Sequence, residues 1–191
     1  MRTFTNKTVM HSYPGMVALV TATWEGKTNI MSAGWHTYIS YEPPIYGVAI
    51  AKERFTHHLI EGSKEFAVNF VSTPYAHYIQ HFGSNSGKDE NKFNKVGANY
   101  ESGKTVHAPI LDQAYIAYEC KVIDQQTYGD HDFFVGKITG FHKDESLFQQ
   151  NGLPDFQKLS IPLYLGRSQY LVTNGQSEVV DLYNRDKGET S

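Results

Sequence analysis

The sequence has little that would place it among disulfide-rich or membrane-spanning proteins. Cys120 is its single cysteine, so an intrachain disulfide and a cysteine-based metal cluster are both excluded. No apolar run approaches the length of about 20 residues that a membrane-spanning helix needs. Residues 1–14 also lack the apolar core of a signal peptide. We therefore expect a cytoplasmic protein without a membrane partner.

Two nucleotide-binding motifs are missing as well. No G-x-G-x-x-G occurs, and neither Gly26-Lys27 nor Gly103-Lys104 follows a glycine at the spacing of a phosphate-binding loop. The formal net charge of −3 argues against a nucleic-acid partner, because phosphate backbones are bound by a basic face. We expect a nicotinamide nucleotide, if one is used, to bind outside a Rossmann fold.

Histidines are more frequent, with 9 in the chain. His77 and His81 lie four residues apart on a predicted helix, as the histidines of one zinc motif do, but the glutamate of that motif is absent. Packing or surface roles explain them better, and we predict no metal site.

Beta-rich segments dominate the chain. Aromatic residues make up 14% of it, a proportion that suits strands and aromatic-lined pockets. The length of 191 residues favours one domain, over residues 1–191. Strands are predicted at 16–24, 28–40, 45–51, 65–71, 113–124, 132–141 and 160–173, with short helices at 56–62 and 74–82. The middle of the segment 28–40 is predicted to be loop-like. This pattern predicts a mainly β fold, a closed or partly closed antiparallel barrel with a few short helices.

The end of the segment 29–56 has the features of an anion site. An apolar strand runs into Lys52, Arg54 and Thr56, just before a predicted helix. Free N–H groups at a helix N-terminus, two basic side chains and a hydroxyl suit a phosphate. The alternative is that Thr56 only caps the helix and that the two basic side chains are merely solvated.

The beginning of the same segment could accept a flat ring. Ser32, Ala33 and Gly34 are small, so a planar group could approach the backbone there, beside the face of Trp35. The alternative is a tight strand edge with one tryptophan in the core.

Taken together, the motifs resemble the flavin reductase-like family, and within it the flavoredoxin-type proteins. The resemblance is carried by N-x-M-S-x-x-W at 29–35, S-x-x-P-P at 40–44, the 52–56 corner, E-F-A-V-N at 65–69, S-G-K-D-x-x-K-F at 86–93 and Y-G-D-H-D at 128–132. It covers roughly residues 12–172 in the family's order.

This resemblance implies an FMN-binding split barrel, antiparallel and Greek-key-like, that acts as a homodimer with the flavin near the interface. It implies an oxidoreductase in which NADH or NADPH passes a hydride to FMN and the electrons go on to a small-molecule or protein acceptor. One alternative is an FMN electron carrier without nicotinamide reactivity. Another is a barrel of the pyridoxamine-phosphate-oxidase type, against which Trp35 and the Ser86-Gly87 motif speak.

The matching positions also imply roles for individual residues. His131 is the expected catalytic residue, because the Gly-Asp-His turn of the family lies near the flavin and the nicotinamide. Backbone N–H groups near Ala33 and from Ala49 to Ala51 are expected to meet flavin oxygens. The expected cofactor-binding residues are Met31, Ser32, Ala33, Gly34, Trp35, Thr37, Ala49, Ala51, Lys52, Arg54, Thr56, Ser86, Gly87 and Lys92.

Two positions depart from the family pattern. Many relatives carry an aspartate before the Lys-Phe pair, where this chain has Asn91, and an asparagine or arginine after the third strand, where Ala51 precedes Lys52. Both departures leave the anion site in place but loosen the expected set of contacts.

Overall fold

The computed structural model describes residues 14–179, together with positions 2, 4 and 6. The strands are β1 Ala18–Trp24, β2 Lys27–Ala33, β3 His36–Tyr41, β4 Pro44–Ala51, β5 Glu65–Val71, β6 Tyr100–Ser102, β7 Pro109–Leu111, β8 Ala114–Tyr128, β9 His131–Lys143, β10 Pro162–Gly166 and β11 Gln169–Val172. The helices are α1 Phe55–Ser63, α2 Ala76–Ser84 and α3 Lys92–Val96, with 3-10 turns at Thr73–Tyr75 and Glu145–Leu147. The predicted mainly β fold with a few short helices is confirmed. One domain over 1–191 stays a prediction, since both ends lie outside the described residues.

Seven strands form one antiparallel sheet in the order β2-β1-β5-β8-β9-β4-β3. Its two outer strands, β2 and β3, are consecutive in the chain and are joined by Gly34 and Trp35 alone. The chain therefore passes directly from one edge of the sheet to the other, and β2 contacts β4 at this crossing. We call the crossing the seam. The sheet is thus curled into a partly closed barrel, as predicted.

The seam falls in the loop-like middle that was predicted for the strand over residues 28–40. The structure has two strands here, β2 and β3, because the two residues between them, Gly34 and Trp35, belong to neither strand. The carbonyl of Trp35 accepts a hydrogen bond from the Ala49 N–H at 2.9 Å, which holds the crossing against β4.

The barrel interior is filled by side chains from nearly every strand of the sheet. Phe66, Phe134 and Cys120 are fully buried there, with Val20 and Val48 from β1 and β4. A second buried cluster packs α2 and α3 against the outside of β1 and β2. No helix in the described part of the chain combines the length and apolar character that a membrane crossing requires.

A buried carboxylate fastens the loop between β6 and β7 to the sheet. Glu119 on β8 is fully buried. Its oxygens accept the N–H groups of Lys104 at 3.0 Å, Thr105 at 2.5 Å and Val106 at 3.0 Å, and lie 2.6 Å from His142 Nε2. Burial alone would raise the pKa of Glu119, but hydrogen bonds from Thr105, His142 and the loop backbone outweigh it and lower the pKa to about 2.

We expect Glu119→Gln to lower the free energy of unfolding by about 3 kcal/mol at neutral pH, because the new amide turns an NH₂ group toward backbone donors. The ordinary pKa of this carboxyl is 4.5. Its stabilisation is therefore complete above that pH and is lost as the pH falls toward the folded pKa, about 2. Denaturant titrations at pH 7 and pH 3 should show a smaller difference from wild type at pH 3.

Glu145→Gln is the matched control, since Glu145 is exposed and, among the described residues, its carboxylate pairs only with Lys143 at the surface. It should change the free energy of unfolding by no more than about 0.5 kcal/mol. Equal losses in the two variants would contradict a fastening role for Glu119.

Candidate functional site

A cavity of about 400 Å³ lies at the seam. Its wall is formed by β2, the end of β4, the start of α1, the end of α2 with the following loop, and the first residue of β9. The lining residues are Asn29, Met31, Ser32, Ala33, Gly34, Trp35, Ala49, Ala51, Glu53, Arg54, Phe55, Thr56, Phe82, Gly83, Ser84, Asn85, Ser86, Gly87, Lys92 and His131. The volume is in the range of cofactor and ligand sites, about 300–1,000 Å³. We call this space the seam cavity.

All the residues predicted for the site line the seam cavity except Thr37 and Lys52. Thr37 lies on β3, where its side chain is exposed and its hydroxyl donates to the Tyr38 carbonyl at 3.0 Å. The Lys52 ammonium lies 3.4 Å from Oδ1 of Asp132 on β9. The structure thus places the Lys52 ammonium beside Asp132 and not on the wall of the cavity with Arg54, and its role in binding a cofactor stays a prediction.

Helix α1 begins one residue earlier than the sequence analysis predicted. The helix starts at Phe55, and Arg54 occupies the N-cap position without a side-chain capping bond. Thr56 is fully buried inside the first turn, where its hydroxyl accepts a hydrogen bond from Asn29 Nδ2 at 2.9 Å. The interpretation of Thr56 as the cap is therefore wrong. A helix N-terminus without a side-chain cap has N–H groups to offer an anion.

Lys92 supplies a second positive charge to the seam cavity from the start of α3. Its side chain is buried, and its ammonium donates to the carbonyls of Phe82 at 3.1 Å and Asn85 at 3.2 Å. Burial lowers the pKa of Lys92 to about 8, and the Arg54 guanidinium lowers it too, whereas Glu90 acts in the opposite direction. An ammonium has three N–H donors, so a third can serve a ligand.

The loop between α2 and α3 is held against β2. Asn91, one of the two departures from the family pattern, caps α3 by accepting the Asn94 N–H at 3.2 Å. Gly87 packs so tightly against the amide of Asn29 that a Cβ at this position would collide with it. The Asn91 cap thus begins the short helix α3, which the sequence analysis did not predict.

At the other end of the seam cavity lie two aromatic rings. Trp35 and His131 have ring centroids 4.7 Å apart and planes inclined by 45°. Trp35 is 48% exposed, so the alternative of a core tryptophan is wrong. The N–H of Ala49 is donated to the Trp35 carbonyl and is therefore not free for a ligand, contrary to expectation.

The orientation of His131 follows from the hairpin between β8 and β9. A two-residue turn precedes it, and Gly129 in that turn has a φ of +63° that favours glycine. Nδ1 of His131 lies 2.7 Å from Oδ1 of Asp130. Because the carboxylate accepts, Nδ1 carries the proton, and Nε2 is the ring nitrogen that remains for a ligand.

Asp132 joins α1 to the same hairpin. Its buried carboxylate lies 2.8 Å from His57 Nε2, and it accepts hydrogen bonds from Gln125 Nε2 at 2.9 Å and Thr127 Oγ1 at 2.7 Å. Burial alone would raise the pKa of Asp132, but these hydrogen bonds and the charge of Lys52 hold it well below its usual range. The contact fixes the cationic end of the seam cavity relative to its aromatic end.

Several lining residues were missed by the sequence analysis. They are Asn29, Glu53, Phe55, Phe82, Gly83, Ser84 and Asn85. The glycine and serines after Phe82 were a usable signal, since small residues allow the end of α2 to approach β2, and a Cβ at Gly83 would lie 3.3 Å from that of Ser32.

Within the described residues, no group of three or more histidine, cysteine or acidic side chains is arranged to hold a metal ion. His81, which shares a helix with His77, lies instead 3.0 Å from Oε1 of Glu90.

Comparison with known proteins shows which family and which individual proteins the chain is similar to. The family model of the flavin reductase like domain matches residues 10–173. An uncharacterised protein of Pyrococcus abyssi (strain GE5 / Orsay) is 32% identical over 145 residues, which are 76% of this chain and 83% of that protein.

Two solved structures are similar over nearly the whole chain. The FMN-binding protein from Thermus thermophilus with bound 1-cyclohex-2-enone has a TM-score of 0.83 and 32% identity, over 94% of this chain and 100% of that one. Flavoredoxin of Desulfovibrio vulgaris (Miyazaki F) has a TM-score of 0.84 and 25% identity, over 97% and 100%. The predicted split-barrel fold is confirmed.

We expect Asp132→Asn to loosen the first turn of α1, because the amide keeps the size of the carboxylate but loses its charge. Hydrogen–deuterium exchange should become at least about tenfold faster at the amides of residues 56–58, which corresponds to about 1.4 kcal/mol of local stability. Asp130→Asn, at an exposed neighbour in the same hairpin, should leave exchange in α1 unchanged. Equal exchange rates in both variants would contradict the link between Asp132 and α1.

Proposed function

The chain belongs to the family of flavin reductase like domains, and from that premise we propose that it binds FMN and acts as an NAD(P)H-dependent flavin oxidoreductase. The observation that carries the proposal is the seam cavity, which has two cations and a helix N-terminus at one end and two aromatic rings at the other. A phosphate and a flat ring system, joined by a short polar chain, match that arrangement.

The cationic end of the cavity fits the phosphate. Arg54 and Lys92 both line it, together with the first turn of α1. A phosphate monoester carries about −1.5 to −2 charges at neutral pH, so two cations nearly neutralise it. Glu53 also lies on the wall, 3.6 Å from Arg54 Nε. Its side chain is largely exposed, which leaves it room to turn toward solvent when the phosphate takes its partner.

The aromatic end fits the ring. Ala33, Gly34 and Ala51 present almost no side chain, so a planar ligand can lie close to the backbone of β2 and β4. Trp35 and His131 close this end with flat surfaces. Small side chains beside the backbone and flat rings at the end give a planar ligand room and apolar contact.

Bound FMN would supply the hydride-accepting centre. The chain's own residues orient the cofactor and exclude water from one of its faces. His131 presents Nε2 as the atom that can hold or release a proton, because Asp130 fixes Nδ1. Lys92 and Arg54 hold the remote phosphate, and this binding energy serves positioning.

We also propose that the protein is a homodimer with the cavity near the interface. Trp35, Ile39 and Tyr41 expose 48%, 47% and 86% of their surface along the seam and the outer strand β3. Exposed apolar patches of this kind are typical of contact surfaces. The acceptor of the electrons, small molecule or protein, and the cytoplasmic location remain predictions.

We expect Arg54→Met and Lys92→Met each to weaken FMN binding by about tenfold or more, and riboflavin binding by less than about twofold, because only FMN carries the phosphate. Fluorescence titration of both ligands measures the two effects. In the wild type, FMN affinity should also fall as the pH rises through the Lys92 pKa, about 8, since the ammonium loses its charge, whereas riboflavin affinity should not.

Lys95→Met serves as the control, because Lys95 is an exposed lysine on the same short helix. It should leave the affinities for both ligands unchanged. Equal losses of FMN and riboflavin in the Arg54 and Lys92 variants would contradict the assignment of the phosphate end.

We expect His131→Asn to slow the anaerobic reduction of bound FMN by NADH or NADPH at least about tenfold, because a positioned proton donor or acceptor is lost. FMN affinity should stay within about twofold, since the phosphate contacts remain. Stopped-flow absorbance of the flavin band measures the rate. His58→Asn, an exposed histidine of α1, should behave as wild type.

Two results would overturn the proposal itself. A wild-type protein whose bound FMN stays oxidised under both nicotinamide nucleotides would be an electron carrier rather than a reductase. A protein that binds no flavin would contradict the assignment of the seam cavity altogether.

A further inference from the structure

A second cavity, of about 210 Å³, lies beside the seam cavity. Ser32, Gly34, Gly83 and Ser84 line both spaces, so the two share a wall. The remaining lining comes from the start of the described chain, from α2 and from the β10–β11 hairpin. We call this space the side cavity.

The side cavity differs from its neighbour in charge. Of the described residues that line it, none is charged, whereas Arg54 and Lys92 line the seam cavity. Val17 and Ile79 provide aliphatic surface. Tyr164 and Tyr170 provide two aromatic rings, with centroids 5.2 Å apart and planes inclined by 55°.

The polar groups of the side cavity mostly bond to one another. The Ser32 hydroxyl donates to the Ile79 carbonyl at 2.6 Å, and Gln80 Nε2 donates to Ser84 Oγ at 3.0 Å. The Tyr170 hydroxyl lies 3.4 Å from Gln80 Oε1, which accepts from it. The Tyr164 hydroxyl oxygen accepts from the Ser168 N–H at 3.4 Å. These bonds leave the hydroxyl hydrogens of Ser84 and Tyr164 as donors for a ligand.

The lining of the side cavity favours a small ligand without charge. An ion would lose its hydration here without gaining a partner of opposite charge, which is costly. A neutral ring gains contact with two tyrosines and two aliphatic side chains, and one acceptor atom on it could meet Ser84. The volume lies below the usual range of about 300–1,000 Å³, which limits the ligand to one or two rings.

We propose that the side cavity binds a small uncharged ring compound with one hydrogen-bond acceptor, next to the flavin. That the ligand of the neighbouring seam cavity is a flavin rests on the proposed function. The binding of a ring compound in the side cavity does not depend on it. A free compound fits better than a nicotinamide dinucleotide, because the lining that the described residues provide holds no cation for the pyrophosphate.

Benzamide and benzoate test the proposal as a pair of equal size and different charge. Calorimetric titration should detect benzamide binding to both the FMN-free and the FMN-loaded protein, and benzoate binding at least about tenfold weaker, because the ion stays unpaired. Equal affinities would overturn the selection for neutral ligands. Loss of benzamide binding on loading with FMN would overturn the separate site, since the ring would then occupy the seam cavity.

A cavity-filling variant locates the site. Gln80→Trp adds a large side chain from α2 into the side cavity and should abolish benzamide binding while FMN affinity and the circular dichroism spectrum stay unchanged. His77→Trp adds the same side chain at an exposed position of the same helix and should keep benzamide binding. Unchanged benzamide affinity in Gln80→Trp would overturn the placement.

Two further readouts separate the proposals. If FMN fails to bind while benzamide binds the wild type and not Gln80→Trp, the proposed function fails and the side cavity stands. NADH added to the FMN-free protein should leave benzamide bound. Displacement of benzamide by NADH would overturn the assignment to a free compound, because the nicotinamide ring would then be the occupant.

Discussion

The geometry of the candidate site depends on one buried charge. Asp132 is nearly inaccessible to water, and a carboxylate in that position is tolerated only when its oxygens are fully paired. Its partners come from the two elements at the ends of the seam cavity. His57 belongs to α1, and Gln125 and Thr127 belong to the β8–β9 hairpin. The pairing of this one carboxylate therefore sets the distance between the cationic end and the aromatic end of the seam cavity.

Much of the fold follows from local pattern. Strands β4 and β5 are apolar runs bounded by turn residues or charges, and the structure places them within a residue of the predicted ranges. The loop-like middle of the segment 28–40 was predictable in this way, but the placement of β2 and β3 at opposite edges of the sheet was not, because both are strand-like by composition. The short helix α3 was hidden for a different reason: its five residues are too few for helical periodicity to show.

The candidate site was predictable where its residues are adjacent in the chain. It was not predictable where contacts with distant elements decide which side chains line the cavity. Lys52 and Arg54 are equivalent by spacing, yet only Arg54 faces the seam cavity, since the acceptor for Lys52 arrives from β9. The end of α2 was missed because Gly83 suggests a loop, whereas the helix continues to Ser84 and uses the missing side chain to pack against β2. The small residues after Phe82 are a local signal of close packing, but the sequence does not show that β2 is the element they pack against.

The seam also bears on how long the protein survives in a cell. β2 and β3 form opposite edges of the sheet, and the seam cavity takes its walls from residues on both sides of the crossing. A ligand held there spans the junction and binds only the folded chain, so it raises the free energy of unfolding by about 2.7 kcal/mol at a concentration of 100 times Kd. The loaded chain opens less often than the empty one, and proteases that act on opened chains remove it more slowly. The abundance of such a protein then follows the supply of its ligand, without any change in its synthesis.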